Sequence, residues 1–453
     1  MNQSQSTENN GKEVQGITRI SVQGFKSLYN ECSIEIRPLT ILAGGNSSGK
    51  SSIMQPLLLM KQTLEATYDP GALLLNGANV KFSLLEQLFS NCGINKCADI
   101  FSVRIEKNSQ IINQHSPFIE VRFKRNTSKN LLEVIEMIVK VVGEAYSIYP
   151  TMDNDEITAI IPHLFWGIYK PLSEISLIPL NFKVVRNRCF FTFQVSSIIN
   201  SISMPFNIAD FIELQIRNLI HVPGLRSKPE RTYPTTAVGA EFTGIFENYV
   251  ASVINYWQQK KDERLIELGK FLERLGLTWK IIAIRVNDVQ IELRVGRLPN
   301  SNDTQDMVSI ADVGVGVSQV LPVLVALLVA EPGQLVYLEQ PELHLHPRAQ
   351  AALADILADA ANRGVRVVAE THSDLLLRRI QSLVAEDKIS HDKVKLHWFT
   401  RGEDGITKVD SADLDDAGTF GDWPEDFGDV DLKEESRYLD AAESRLWERS
   451  HVS

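Results

Sequence analysis

The residues best equipped for chemistry stand between Gly44 and Ser52, which read GGNSSGKSS. Gly44, Gly49, Lys50 and Ser51 satisfy the phosphate-loop pattern G-x-x-x-x-G-K-[ST]. Glycines at those places let backbone N–H groups close around a phosphate, and the helix that follows turns its positive dipole end to the same anion. In such a loop Lys50 bridges β- and γ-phosphates and the Ser51 hydroxyl holds Mg²⁺. Asn46, Ser48 and Ser52 add polar groups around the anion. Apolar Leu39, Ile41 and Leu42 before the loop predict a strand, and Ile53, Leu57, Leu58 and Leu59 after it predict a helix.

A second set of reactive residues lies some 290 positions later. LVYLE, Leu335 to Glu339, is four apolar residues and a carboxylate, the strand-end acid that a nucleotide site needs for its Mg²⁺ shell. Glu339 is therefore expected beside the metal. THSD, Thr371 to Asp374, follows another apolar strand, and His372 at its tip is placed to reach a γ-phosphate or an attacking water. His344 and His346 form an H-x-H pair, but no third ligand is evident, which favours a structural or interface role. Gly314 and Gly316 precede a helix expected to begin near Ser318, a second anion-binding nest. One nucleotide rarely needs two nests from one chain. The natural use of the second is to close over a nucleotide held by another copy.

The elements that must position these groups follow from the rest of the chain. The length of 453 residues suits two to three domains or one elaborated domain, and 44% apolar with 23% charged residues is a soluble, globular composition. A net charge of −11 excludes a surface that grips nucleic acid all over. Cys32, Cys92, Cys97 and Cys189 contain no C-x-x-C pair and read as reduced thiols in the cytoplasm. Leu321 to Ala330, the longest apolar run, is too short to span a bilayer and reads as a buried helix, so no membrane partner is expected.

Five segments are expected. Residues 1–15 form a polar disordered tail, and 16–90 the first part of a nucleotide-binding head. Residues 91–305 form an inserted lobe, with paired strands at Phe101 to Glu106 and Phe118 to Lys124 and one strand from Lys183 to Val195. Within it, 131–180 cannot be ordered, Ile208 to Asn218 looks helical, and Lys280 to Val295 is a hairpin. Residues 306–402 alternate strand and helix, which implies a largely parallel sheet, and 403–453 form an acidic extension.

With these pieces in order, the chain resembles the ABC/SMC-like ATPases, the branch that holds RecF, OLD-type ATPase domains and many standalone prokaryotic ATPases. FKS at Phe25 to Ser27, GGNSSGKSS, LNG at Leu75 to Gly77, PGLRSKPERTY, VGVGVSQVLP, LEQPELHLHPRAQ, ETHSD and WPEDFGD at Trp423 to Asp429 carry the resemblance. It implies an α/β P-loop NTPase fold of ABC-ATPase type, with a mixed, mostly parallel sheet and an inserted β/α lobe. ATP and Mg²⁺ are the implied cofactors. Lys50 and Ser51 would hold phosphate and Mg²⁺, Glu339 the Mg²⁺ shell, and His372 would be the switch histidine. Gly314 and Gly316 would make the signature contact in trans, and Gln87 is a weak candidate for the loop glutamine. Two departures stand out. The usual Asp-Glu pair is Glu339-Gln340, and glutamine can orient a water but not take its proton, so Glu342 supplies the base, Glu339 does double duty, or hydrolysis is slow. Gly314 also stands where the signature serine is expected, with Ser318 further on.

Standalone relatives of this size often sit in prokaryotic anti-phage modules of the Septu kind, beside a nuclease or toxin. By that analogy the chain is an ATP hydrolase that forms a homodimer or higher oligomer through a shared ATP site. Its assembly would sense nucleic acid or phage components and control a separate effector. The alternatives are a RecF-like DNA-repair clamp, gripping DNA through Lys124, Arg125, Lys129, Arg186, Arg188 and Arg226, and an ATP-binding scaffold with little turnover.

Overall fold

The computed structural model describes residues 15–93, 96–108, 116–141, 143–164, 180–197, 203–239, 241–297, 306–421, 436–445 and 447. The polar N-terminal tail up to residue 14 and the WPEDFGD segment lie outside the described residues. Its centre is a six-stranded sheet in the order Ile220–Val222, Leu335–Glu339, Arg366–Glu370, Leu39–Gly44, Val394–Arg401, Thr407–Ala412. The first five strands are parallel and the last is antiparallel. These strands are short apolar runs because the sheet is covered on both faces. Leu39, Ile41, Val336, Leu338, Val367 and Ala369 point into one core. Leu42, Leu335, Tyr337 and Val368 point into the other. The fold is the expected α/β P-loop NTPase with a mixed, mostly parallel sheet.

A second sheet has six antiparallel strands, ordered Cys32–Glu35, Ile17–Gln23, Ile100–Lys107, Phe118–Asn126, Leu131–Lys140, Tyr146–Ile148, so two strands from the 16–90 segment join four from the segment expected as an insertion. Here burial alternates as a one-sided sheet requires. Phe101, Val103, Ile105, Ile119, Val121 and Phe123 are buried, while Arg104, Glu120, Arg122 and Glu136 form an ion-pair ladder across the other face. The strands Phe101 to Glu106 and Phe118 to Lys124 pair as expected. The single strand expected from Lys183 to Val195 is instead a hairpin, Leu180–Asn187 against Phe190–Ser197. Its two-residue turn puts Arg188 at φ 55 without any glycine, so the usual hairpin signal is missing. The helix expected to begin near Ser318 starts earlier, spanning Val315–Val329 with Gly314 as its N-cap. Gly316 and Ser318 thus lie inside its first turn, and the Ser318 hydroxyl donates to the Val315 carbonyl at 2.9 Å. Among the described residues, no helix is long and apolar enough to cross a membrane.

One buried group in the central sheet makes stability pH-dependent. His397 is 1% exposed, with Nε2 2.9 Å from the Glu35 carbonyl and Nδ1 2.7 Å from the Ser411 hydroxyl. The carbonyl can only accept, so Nε2 carries the hydrogen and Ser411 donates to Nδ1. Burial is the main force that lowers its pKa to about 4, against the pull of the Glu35 carbonyl and with help from the Lys395 charge. A histidine held neutral in this way contributes stability that is complete above its unfolded value near 6.5 and is lost as pH falls toward 4. The expected loss is about 3 kcal/mol. Urea melts between pH 7 and 4 check it, and His397→Gln is expected to flatten that profile. Equal slopes for the two proteins would assign the pH dependence elsewhere.

Candidate nucleotide site

The strand Leu39–Gly44 delivers the chain to the P-loop, and the helix Lys50–Glu65 leaves it. Gly44 turns the chain at φ 139, where an added Cβ would lie 2.2 Å from the Phe399 carbonyl oxygen. Gly49, the helix N-cap, has φ 105 and is packed under Thr407 and Ser27. Thr407 braces the loop from the far sheet edge: its hydroxyl lies 2.7 Å from the Ser48 carbonyl and 2.8 Å from the Ser27 hydroxyl. Lys50 curls beneath the loop, with Nζ 3.0 Å from the Gly44 carbonyl and 2.8 Å from that of Gly45. The Ser48 hydroxyl is buried without a hydrogen-bond partner. The loop opens on a cleft of about 540 Å³ lined by Asn46, Ser48, Gly49, Lys50, Ser51, Ser52, Gln87, Gln340, Glu370 and His372. A polar cleft with a P-loop floor, a buried cation and an orphaned hydroxyl fits the polyphosphate of a nucleotide.

Strand order decides which acid meets the loop. Arg366–Glu370 is hydrogen-bonded to the P-loop strand, with Glu370 opposite Leu42. Leu335–Glu339 lies one strand further out, with Glu339 opposite Glu370. The carboxylate that accepts from Ser51 is therefore Glu370, at 3.0 and 2.8 Å to its two oxygens. Glu339, the expected metal neighbour, is occupied on its other side. Its Oε1 lies 3.1 Å from His221 Nε2, and its Oε2 accepts from the Gly224 N–H at 3.1 Å. Gln340 reaches the cleft from a left-handed backbone, φ 43, held by its N–H on the Glu370 carbonyl at 2.8 Å. Arg226 caps the same turn, its Nη2 donating to the Glu339 and Gln340 carbonyls at 3.0 and 2.9 Å. Glu342 is not in the cleft lining. It is buried behind His372, accepting from the Thr371 hydroxyl at 2.7 Å and the His372 N–H at 3.0 Å.

Two family models match this chain. One, described as an AAA ATPase domain, covers residues 16–180. The other, described as "AAA domain, putative AbiEii toxin, Type IV TA system", covers residues 216–378. Both models describe AAA-type domains, and each spans a little over a third of the chain. Similar solved structures include an SMC head bound to the C-terminal winged-helix domain of ScpA, with TM-score 0.49, 14% identity and coverage of 89% of this chain and 99% of that one. A second is the SMC head domain from Thermotoga maritima, with TM-score 0.39, 10% identity and coverage of 87% and 98%. A third is the Pyrococcus furiosus Smc head with an extended coiled coil, bound to the C-terminal domain of ScpA, with TM-score 0.44, 12% identity and coverage of 95% and 100%. No curated protein matches the sequence.

At this cleft the two neighbouring carboxylates, Glu370 and Glu339, sit in opposed environments. Burial raises the Glu370 carboxyl above its ordinary value, and the Glu339 charge adds to that, while the Ser51 hydroxyl and Lys50 pull the other way. Burial would also raise Glu339, but the His221 contact and the Gly224 N–H more than offset it and hold that carboxyl below its ordinary value. Burial and the Lys50 charge lower His372, so its imidazole is neutral at neutral pH and can share a hydrogen bond in either direction. Gln87 also lines the cleft, with its side-chain oxygen held by the Ser83 and Leu84 N–H groups at 2.9 and 3.2 Å.

Gly314, Gly316 and Ser318 are not among the residues that line this cleft. Gly314 is exposed, and Gly316 packs against Leu277 and the His344 carbonyl. His344 stands in a turn at φ 66, and His346 caps the helix Pro347–Asn362 by accepting from the Arg348 N–H. Among the described residues no group of three or more His, Cys, Asp or Glu side chains could hold a metal ion. Sequence reasoning missed Glu370, His221, Thr407 and the bracing role of Ser27. The first had a signal, a carboxylate ending the apolar run VRVVAE directly before THS.

Proposed function

We propose that ATP binding in this cleft brings two or more copies of the chain together, and that the assembled state controls a separate effector, a nuclease or toxin, in defence against phage. The observation that carries the reading is the separation of the two anion-binding halves. The P-loop, Gln340 and His372 face one cleft, while the exposed start of the Val315–Val329 helix lies outside it. The Val317 N–H donates to the Gly314 carbonyl at 3.4 Å, and in this reading the N–H groups ahead of it are offered to a phosphate held by a second copy. Val315 is 52% exposed, and Leu225, on the loop tied to this helix by the Gln319–Ser227 bond, is 91% exposed. Such apolar surface suits coverage by a partner copy.

In this reading Gly44, Asn46, Ser48, Gly49, Lys50 and Ser52 hold the phosphates and Ser51 the Mg²⁺. Gly314, Gly316 and Ser318 complete the site from the other copy. ATP supplies the free-energy difference between separate and assembled states. His372 touches the phosphate end of the cleft, and Gln340 orients a water without accepting its proton, which makes turnover slow. The description of the family matched over residues 216–378, a putative AbiEii toxin of a type IV system, supports the defence role. The DNA-clamp reading has less to draw on, because five of its six cations are engaged. Arg226 is buried, Arg186 pairs with Asp69, Arg125 with Glu86, Lys124 lies 3.9 Å from Asp99, and Arg188 donates to the Ala66 carbonyl.

Light scattering on the purified chain is expected to show at least a doubling of mass with Mg²⁺-ATP, abolished by Lys50→Ala. Gly314→Glu, which sets a carboxylate where another copy's phosphate approaches, is expected to abolish it too. A mass that ignores ATP sinks the shared-site reading.

A further inference from the structure

We propose that Glu370, and not Glu339, is the carboxylate that shares the Mg²⁺ of a bound nucleotide with Ser51. The inference rests on the nucleotide reading of the cleft and adds an acid that the strand-end pattern at Leu335–Glu339 does not point to.

The first argument is position. A P-loop serine gives its hydroxyl oxygen to the cation, and the acid beside that hydroxyl completes the shell of oxygen ligands. Both Glu370 oxygens lie within 3.0 Å of Ser51 Oγ, and Glu370 lines the cleft. The Tyr337 hydroxyl, 3.0 Å from Glu370 Oε2, fixes the carboxylate from behind.

The second argument is what Glu339 is already doing. One of its oxygens is held by His221 and the other by the Gly224 N–H. His221 is itself only 4% exposed, stacks on Tyr337, and meets Asn79 Oδ1 at 3.2 Å through its other ring nitrogen. The Asn79 N–H donates to Gln62 of the P-loop helix. Glu339 thus latches the 221–224 segment and the loop around Asn79 to the central sheet. Freeing it for a cation would leave His221 and Gly224 unsatisfied in a buried place.

The third argument is the crowding of two acids. Glu339 and Glu370 stand opposite one another on adjacent parallel strands, and Glu370 is 6% exposed. Such a pair is costly to bury, and a carboxylate kept at that cost beside a phosphate loop is explained by a cation that offsets it.

The test uses ADP with Mn²⁺ as the metal probe, so that no hydrolysis is needed. ADP affinity is measured by calorimetry in Mn²⁺ and in EDTA, and Mn²⁺ itself by electron paramagnetic resonance. Wild type is expected to bind ADP more tightly in Mn²⁺. In Glu370→Gln that gain is expected to fall at least tenfold, with affinity in EDTA retained and the melting temperature of the nucleotide-free protein unchanged or raised. Glu339→Gln is expected to keep the metal gain. Glu370→Asp, which keeps the charge on a shorter stem, decides the matter if the glutamine variant misfolds, and is expected to retain part of the gain. Loss of the gain in Glu339→Gln together with its retention in Glu370→Gln, or in Glu370→Asp an undiminished gain, overturns the proposal. If Lys50→Ala leaves ADP affinity in EDTA unchanged, the nucleotide reading fails by itself, whatever Glu370 does.

Discussion

Gly44→Ala is expected to destabilise the protein by at least about 3 kcal/mol and to abolish nucleotide binding. Two effects combine. At φ 139 the backbone of residue 44 is in a region that L side chains rarely adopt. The added methyl would also stand 2.2 Å from the Phe399 carbonyl oxygen, a backbone atom of the neighbouring strand paired with residue 44. That strand cannot withdraw without breaking the ladder that carries the P-loop. Gly45 is the internal control. Nothing lies within 4 Å of a Cβ built there, and its φ is not in the left-handed range. Gly45→Ala is therefore expected to change stability by no more than about 0.5 kcal/mol. Chemical denaturation and ADP titration of the pair check the contrast. Equal behaviour of the two variants would mean that the loop's entry geometry is not as drawn.

Arg226→Met is expected to cost about 3–5 kcal/mol, the range for removing one partner of a buried charged cluster. Arg226 is 9% exposed, and one of its nitrogens holds the carbonyls of both Glu339 and Gln340. Burial lowers its pKa, while Glu247, Glu342 and Glu339 pull it back toward the charged form. Without the guanidinium those acids lose their cation and two carbonyls lose their donor in a dry place. Gln340, whose left-handed backbone depends on this turn, loses its aim at the cleft. Arg226→Lys is expected to recover part of the stability, because an ammonium can reach a carbonyl but cannot span the fork. Denaturation midpoints of the two variants decide it. A methionine variant as stable as wild type would remove Arg226 from the account of the turn.

The legible and illegible parts of this protein divide along a physical line. Gly44 to Ser51 spans eight residues, so its strand, loop and helix start are set by neighbours in the chain, and periodicity with glycine spacing reports them. The hairpin at Asn187 to Phe190 was illegible for a local reason, since its turn has a positive φ at an arginine and no glycine to mark it. The start of the Val315–Val329 helix was misplaced because Gly316, a poor helix former, reads as loop until the buried run behind it is counted.

By itself, the sequence determined that the chain is an α/β protein with a phosphate loop, a largely parallel sheet, and Glu339 and His372 at the ends of its strands. These are short-range patterns, or the apolar signature of strands buried on both faces. Only the tertiary structure decided which strand stands beside which. Alternation of strand and helix names the members of a parallel sheet but not their order, because the crossover helices can set successive strands next to each other or apart. That order puts Arg366–Glu370 against the P-loop strand and Leu335–Glu339 one place away. Through it, Ser51 meets Glu370, from a position 319 residues distant, while Glu339 closes on His221 instead.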